Sequence, residues 1–291
     1  MRRSLLFIPA NNPGMLQNSN VFKADSVIFD LEDAVSINQK DSARILLKNF
    51  LDYFALDVEV VIRINDLDTP YFLDDLDTIL SDKVDTIMLP KASKIHLKRL
   101  DEILSNFEKA KKIKKKIKII PIIELASSVL EVDQIASLPR IDGVLLGAED
   151  LSSDMEFERT LVGDEILYPR AKIAYACKAY GIDAIDTPFT DVHNLDGLIK
   201  DCLRAKNLGM NAKSAIHPNQ ISTINQTFQP TAKQIENALK IEIAAKNNKG
   251  VFSLDGKMVD KPIIERSKKI LEKARKYDLL WWVYLKNIRV L

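Results

Sequence analysis

Acidic residues recur where runs of aliphatic residues stop. The stretch "SVIFDLED" delivers Asp30, Glu32 and Asp33 within four positions, "KIIPIIE" ends on Glu124, and "GVLLGAED" ends on Glu149 and Asp150. Val and Ile suit the inside of a strand and acids do not, so each group of carboxylates needs a reason to stand there. Other runs end on Arg63 and Asn65 ("VVIRIN"), Lys91 ("IMLPK") and His217 ("KSAIH"). Two carboxylates about 5 Å apart repel by roughly 3 kcal/mol at an effective dielectric near 20, so several converging on one place call for a counter-charge. Arg63 and Lys91 are too few. A divalent cation is the economical answer, and oxygen donors with no cysteine and little histidine suit Mg²⁺ or Mn²⁺ rather than zinc. The competing reading is that these are ordinary caps and turn acids, since Asp and Glu often precede helices. That reading is weaker for Glu124, because a nearly continuous apolar strand would bury a carboxylate at its exit.

The elements that must position these residues repeat regularly. Eight β-type runs, 5–10, 26–32, 58–65, 85–91, 117–124, 142–150, 182–189 and 212–217, are separated by helical patterns such as "KDSARILLKNFLDYF" and "PRAKIAYACKAYG", the latter ended by Gly181. Strands alternating with helices imply a parallel sheet, and eight such units in about 220 residues imply an α/β fold closed as a (β/α)8 TIM barrel more readily than an open sheet. In such a barrel the active site lies at the C-terminal ends of the strands, where the residues above fall. Beyond Gln229-Pro230 the pattern changes to a long helix, a hairpin "GVFSLDGKMVD" and a last helix. The expected division is a barrel domain over 1–229 and a helical and hairpin extension over 230–291, with the aromatic tail "WWVYLKNIRVL" packing on the core or on a neighbour.

Composition excludes several classes. Lys plus Arg is 42 against 41 for Asp plus Glu, so net charge gives no reason to expect nucleic acid or an anionic membrane as partner. The apolar run after "MRR" is too short for a signal-peptide core and no stretch approaches a membrane span, which points to the cytoplasm. Cys177 and Cys202 lack a C-x-x-C spacing and fall in helical patterns, so buried free thiols are expected. His96 and His193 read as surface or helix-start residues, and His217, before Pro218, as a brace for the last barrel loop. The run "KAKKIKKKIK" precedes the fifth strand and reads as a solvated helix end at the bottom face, away from the site.

At these residues the sequence resembles the citrate lyase beta-subunit group of the HpcH/HpaI aldolase and citrate lyase superfamily. The likeness runs through "RRSLLFIPANNPGM", "FDLEDAVS", "VIRIN", "LPKAS", "PIIE", "GAEDLSSD", "SAIHPNQ" and "GKMVDKPIIERSKKIL", in order and spacing. Ala10 departs from the family pattern, which has glycine there. The resemblance implies that Glu124 and Asp150 are the protein ligands of Mg²⁺, with Glu124 also touching substrate. It implies that Arg63 binds the carboxylate of the keto-acid fragment, and that Asp260 enters a neighbouring subunit's site as the proton-transfer group. The extension would then belong to the interface of a homo-oligomer, a trimer or hexamer. Asp30, Glu32 and Asp33 sit where acceptors for the waters of the cation would be needed, although alternation points Asp33 away from the other two.

The implied reaction is Mg²⁺-dependent cleavage of a citryl thioester on an acyl carrier protein to oxaloacetate and acetyl thioester, within a citrate lyase complex of citrate fermentation whose other members are the carrier and an acyltransferase. The nearest rival is a lyase or synthase of malyl- or citramalyl-CoA with the same metal site. A barrel that only holds a complex together is a third reading. A sugar-phosphate enzyme is disfavoured, because no glycine-rich phosphate loop follows the seventh or eighth run.

Overall fold

The computed structural model describes residues 1–248 and 250–280; the tail from Trp281, and the expectation that it packs on the core or a neighbour, lies outside them. Eight parallel strands close into a barrel in chain order: β1 (Ser4–Pro9), β2 (Ser26–Asp30), β3 (Glu59–Arg63), β4 (Thr86–Leu89), β5 (Lys118–Ile123), β6 (Gly143–Leu146), β7 (Asp183–Asp186) and β8 (Ala212–Ala215). The ring shuts where β1 pairs with β8, Ser4 opposite Lys213 and Leu6 opposite Ala215. Helices α1 (Pro13–Gln17), α2 (Lys40–Tyr53), α3 (Phe72–Ile79), α4 (Lys94–Ala110) and α5 (Ala126–Ala136) follow the first five strands. After β6 come the short α6 (Ala148–Asp154) and the longer α7 (Leu167–Tyr180), and after β7 and β8 come α8 (Leu195–Asn207) and α9 (Ile221–Phe228). The fold is the (β/α)8 barrel read from the sequence. Gly181 ends α7 at φ 71°, the left-handed cap that glycine takes without steric cost.

Alternation along the strands divides their side chains between two environments. One parity meets inside the barrel: Leu5, Ile28, Val61, Met88, Ile120, Ile122, Leu145, Ile185 and Ala212 form one buried cluster. The other parity, including Ile8, Phe29, Ile62 and Ile87, is equally buried. At the lower end Arg2 is 5% exposed and is shared among Glu59, Asp142 and Asp183, tying β3, β6 and β7 together. Burial alone would raise the Glu59 carboxyl, but Arg2 beside it holds it at about 2.

The chain falls into two compact units, Met1–Gln226 and the residues from Thr227 onward. In the second, α10 (Ala232–Asn247) packs on α11 (Lys261–Lys276) through Ile235, Ala238, Leu271 and Ala274. Between them β9 (Phe252–Leu254) and β10 (Lys257–Val259) form an antiparallel hairpin. Asp255 (φ 49°) and Gly256 (φ 73°) make its two-residue turn, the pair of positive angles that matches the twist of the strands. Thr231 and Gln234 make a capping box at the start of α10.

Candidate active site

The inward parity that builds the barrel core continues upward by two residues per strand. Above Ile28, Val61, Ile122, Leu145 and Ile185 stand Asp30, Arg63, Glu124, Gly147 and Thr187, and all five line a cavity of about 460 Å³. Phe7, Asp33, Ala148, Glu149, Asp150 and Ile216 complete much of its wall. The acids therefore meet because pleat and barrel closure aim them at one axis.

Asp30 is 2% exposed and fully engaged. Its oxygens accept from Arg63 Nε at 2.7 Å and Nη2 at 2.6 Å, and from the backbone N–H groups of Glu32 and Ala34. Asp30 thus takes the Nε/Nη2 edge of the guanidinium. The guanidinium lies 5.1 Å over the Phe7 ring, with Glu32 at 2.9 Å and Asp33 at 3.6 Å from Nη1. The expected opposition of Asp33 to Asp30 and Glu32 is not found. The strand stops at Asp30, the next residues turn, and the turn swings Asp33 back to the cavity while Glu32 stays out of its lining.

Glu32 Oε2 is buried without a hydrogen-bond partner, its approach to Arg63 lacking the angle of one. Burial, opposed by Arg63 and reinforced by Asp33 and Asp30, pushes the Glu32 carboxyl up to about 7. Glu124, directly after β5, is 2% exposed. Burial pushes it up to about 8 against the hydrogen bond it accepts from Lys91 N–H, and Asp150 and Glu32 add to the rise. Lys91 reaches that bond by adopting φ 45°, a left-handed conformation unusual for a residue with a side chain. Asp150 lies in the first turn of α6 and is exposed. These residues fit a divalent cation. Two close carboxylates, one pushed up to about 8 chiefly by burial, and an orphaned carboxylate oxygen nearby form an all-oxygen donor set that Mg²⁺ would relieve.

Gly147 was not singled out by its sequence, yet a Cβ there would stand 2.6 Å from Glu124 Oε2 and 2.8 Å from Glu124 Cβ. Thr187 was missed as well, as was a buried quartet on the outward parity. There Arg170 of α7 forms a bidentate pair with Asp186 and reaches Asp201 of α8, and Lys213 bonds Asp186, Asp201 and the Thr187 carbonyl, each at 2.6 Å. The only signal was charge inside the short strands "AID" and "AKSA". Its meaning depends on knowing that Asp186 pairs opposite Lys213.

Of the other candidates, Glu149 alone lines the cavity. Asn65 is buried and donates to Leu31 O and Asp75, bracing a turn. Glu149 pairs with Arg159 at 3.1 Å although it also lines the cavity. His217 accepts from Asn219 N–H through Nδ1 and caps the loop after β8. His96 lies at the start of α4, with Asp66 and Asp68 near it. Cys177 and Cys202 are buried, and burial pushes both thiols up to about 12. In "KAKKIKKKIK" the helix ends at Ala110, and Lys111, Lys115 and Lys118 pair with Asp77, Asp85 and Asp142. Ala10 is buried with no left-handed backbone, so its conformation does not demand the family glycine. Asp260 caps α11, its Oδ1 accepting from Ile263 N–H at 3.2 Å.

The profile of the HpcH/HpaI aldolase/citrate lyase family matches residues 3–218, and that of a C–C bond lyase of the TIM-barrel fold matches residues 165–279. The chain is 38% identical to the citrate lyase subunit beta of Haemophilus influenzae over 94% of its own length and 97% of the relative's. It is 30% identical to the mitochondrial citramalyl-CoA lyase of Rattus norvegicus, over 94% of this chain and 86% of that one. Among solved structures, the citrate lyase beta subunit of Mycobacterium tuberculosis complexed with oxaloacetate and magnesium superposes with a TM-score of 0.67 at 28% identity, covering 79% of this chain and 97% of the other.

Proposed function

The chain belongs to the HpcH/HpaI aldolase/citrate lyase family, and from that premise we propose that it is the lyase subunit that cleaves a citryl thioester to oxaloacetate and an acetyl thioester. It is a carbon–carbon lyase. The observation that carries the reading is the Glu124–Asp150 pair at the head of the cavity, facing Arg63. Glu124 and Asp150 would hold Mg²⁺ or the chemically similar Mn²⁺, with the carboxylates of Glu32 and Asp33 nearby. When bound, Mg²⁺ supplies Lewis-acid polarisation of the hydroxyl oxygen and adjacent carboxylate of the substrate. Arg63, held in orientation by Asp30 and flanked at Nη1 by Glu32 and Asp33, would bind that carboxylate. As the C–C bond breaks, its electron pair would go to the acetyl carbon and the hydroxyl proton to solvent, and Asp260 in its acid form, reaching from a neighbouring subunit, would deliver a proton to that carbon.

The thioester arrives on an acyl carrier protein, and an acyltransferase subunit completes the complex. The extension from Thr227 contributes to the contacts of a homo-oligomer that works in the cytoplasm; no helix among the described residues is long and apolar enough to cross a membrane. The test is a panel of citryl and malyl thioesters, each on carrier protein and on coenzyme A, with and without EDTA. Turnover of citryl carrier thioester that EDTA abolishes is expected. Preference for a coenzyme A thioester would overturn the assignment in favour of a citramalyl-CoA type of lyase, the activity named for the rat relative.

A further inference from the structure

Helix α6 begins without a cap of its own. Its N-cap residue is Gly147, which has no side chain to accept from the first turn, and a larger residue there would collide with Glu124. The acceptor comes instead from the loop after β7: Ala148 N–H donates to Thr187 Oγ1 at 3.2 Å. Gly147 N–H is held separately by Ile123 O at 3.0 Å. Thr187 is fully buried, and its carbonyl is fixed by Lys213 Nζ at 2.6 Å, itself locked in the quartet with Asp186, Asp201 and Arg170. A continuous series of bonds thus runs from the helix layer of α7 and α8, through Thr187, to the turn that carries Asp150.

We propose that Thr187 is a positioning residue: its hydroxyl oxygen serves as the missing cap of α6 and so sets where Asp150 stands relative to Glu124, which fixes the affinity for the divalent cation. The inference rests on the reading of Asp150 as a ligand. A serine keeps the oxygen and a valine keeps the shape, so the two substitutions separate capping from packing. Outer partners that orient a metal ligand typically govern about 10–100-fold in affinity.

The experiment titrates EDTA-stripped full-length protein with Mg²⁺ alone by calorimetry and records thermal melts in EDTA alongside. Asp150→Asn is the control and is expected to abolish binding. Thr187→Val is expected to weaken Mg²⁺ binding by about tenfold or more, to raise the KM for Mg²⁺ more than it lowers kcat at saturating metal, and to remain folded while melting somewhat below the parent, because the buried Ala148 N–H loses its acceptor. Thr187→Ser is expected to bind close to the parent. If Asp150→Asn still binds Mg²⁺, the ligand reading fails whatever Thr187 does. If Asp150→Asn loses binding while Thr187→Val retains parental affinity, the positioning role alone is overturned. It is equally overturned if valine and serine lower affinity alike, since then shape and not the oxygen matters. Should Thr187→Val not fold, Thr187→Ala, which adds no apolar bulk, replaces it under the same criteria.

Discussion

Glu124 is the residue on which the site turns, and its protonation has a sign that can be checked. Its folded carboxyl is pushed up to about 8, against an ordinary 4.5 in the open chain. The folded protein without metal therefore holds a proton that the unfolded chain releases, and its stability falls as pH rises from 4.5 towards 8. Glu124→Gln removes that loss. It is expected to bind no Mg²⁺, to lose activity, and to melt above the parent in EDTA at pH near 8, by at most about 5 kcal/mol, with the gap closing in acid. Melts across that range check it, and a variant that melts below the parent at pH 8 sinks the account. If Glu124 is a ligand, as proposed, Mg²⁺ entering at neutral pH is expected to displace up to about one proton, which calorimetry in buffers of different ionisation enthalpy measures. Arg63→Lys keeps the charge but cannot serve Asp30 and a substrate carboxylate from two edges of one plane. It is expected to cost about 10–100-fold in turnover with the fold intact. That these two residues meet at one cavity was legible: Glu124 stood out as an acid closing an apolar run, and Arg63 as a cation ending another. What was not legible was the pairing of Arg63 with Asp30, because sequence does not say which neighbouring strand shares its register.

Elements were more readable than the joints between them. Each of the eight apolar runs holds all or most of a strand, and β2 and β6 stop short of the expected ends because Glu32, Glu149 and Asp150 belong to the turn or helix that follows. The joint between β6 and α6 shows why such detail escapes a sequence. Gly147 reads as an ordinary breaker, and only the structure brings the Glu124 carboxylate against its bare backbone. Gly147→Ala places a methyl 2.6 Å from Glu124 Oε2 and 2.8 Å from Ile122 Cγ2, so the carboxylate or the start of α6 must shift. The expected result is a destabilisation of about 1–3 kcal/mol with weaker Mg²⁺ binding than a stability loss alone would produce. Denaturant melts in EDTA beside Mg²⁺ titrations check it, and parental affinity would mean that the joint has slack.

At the scale of the whole molecule, two predictions concern how distant parts depend on each other. The lower end of the barrel is fastened by Arg2 among Glu59, Asp142 and Asp183. Glu59 sits at about 2 in the fold against an ordinary 4.5, so its contribution is fully present above 4.5 and is lost as pH falls towards 2, about 3 kcal/mol in all. Glu59→Gln should melt below the parent at pH 6 and converge with it in strong acid. An unchanged difference at both ends would show that the pair adds nothing through its charge. The second concerns Asp260. If it works in a neighbour's site, mixing inactive Asp260→Ala subunits with inactive Glu124→Gln subunits restores partial activity after proven subunit exchange. With no recovery, the site is built from one chain. The Asp260 expectation came from resemblance, and its own surroundings offer only a helix cap.

Closure of the ring also sets an order in time. Strand β1 can pair with β2 as soon as both exist, but its other edge is covered only by β8, which ends at Ala215. At the usual pace of synthesis, about 5–20 residues per second, the first strand waits roughly 10–40 s with an open edge of Leu5, Leu6 and Ile8. The barrel strand made first is thus the last to be sealed, and a ribosome stalled before the eighth strand holds a nascent product whose apolar rim invites chaperones or self-association.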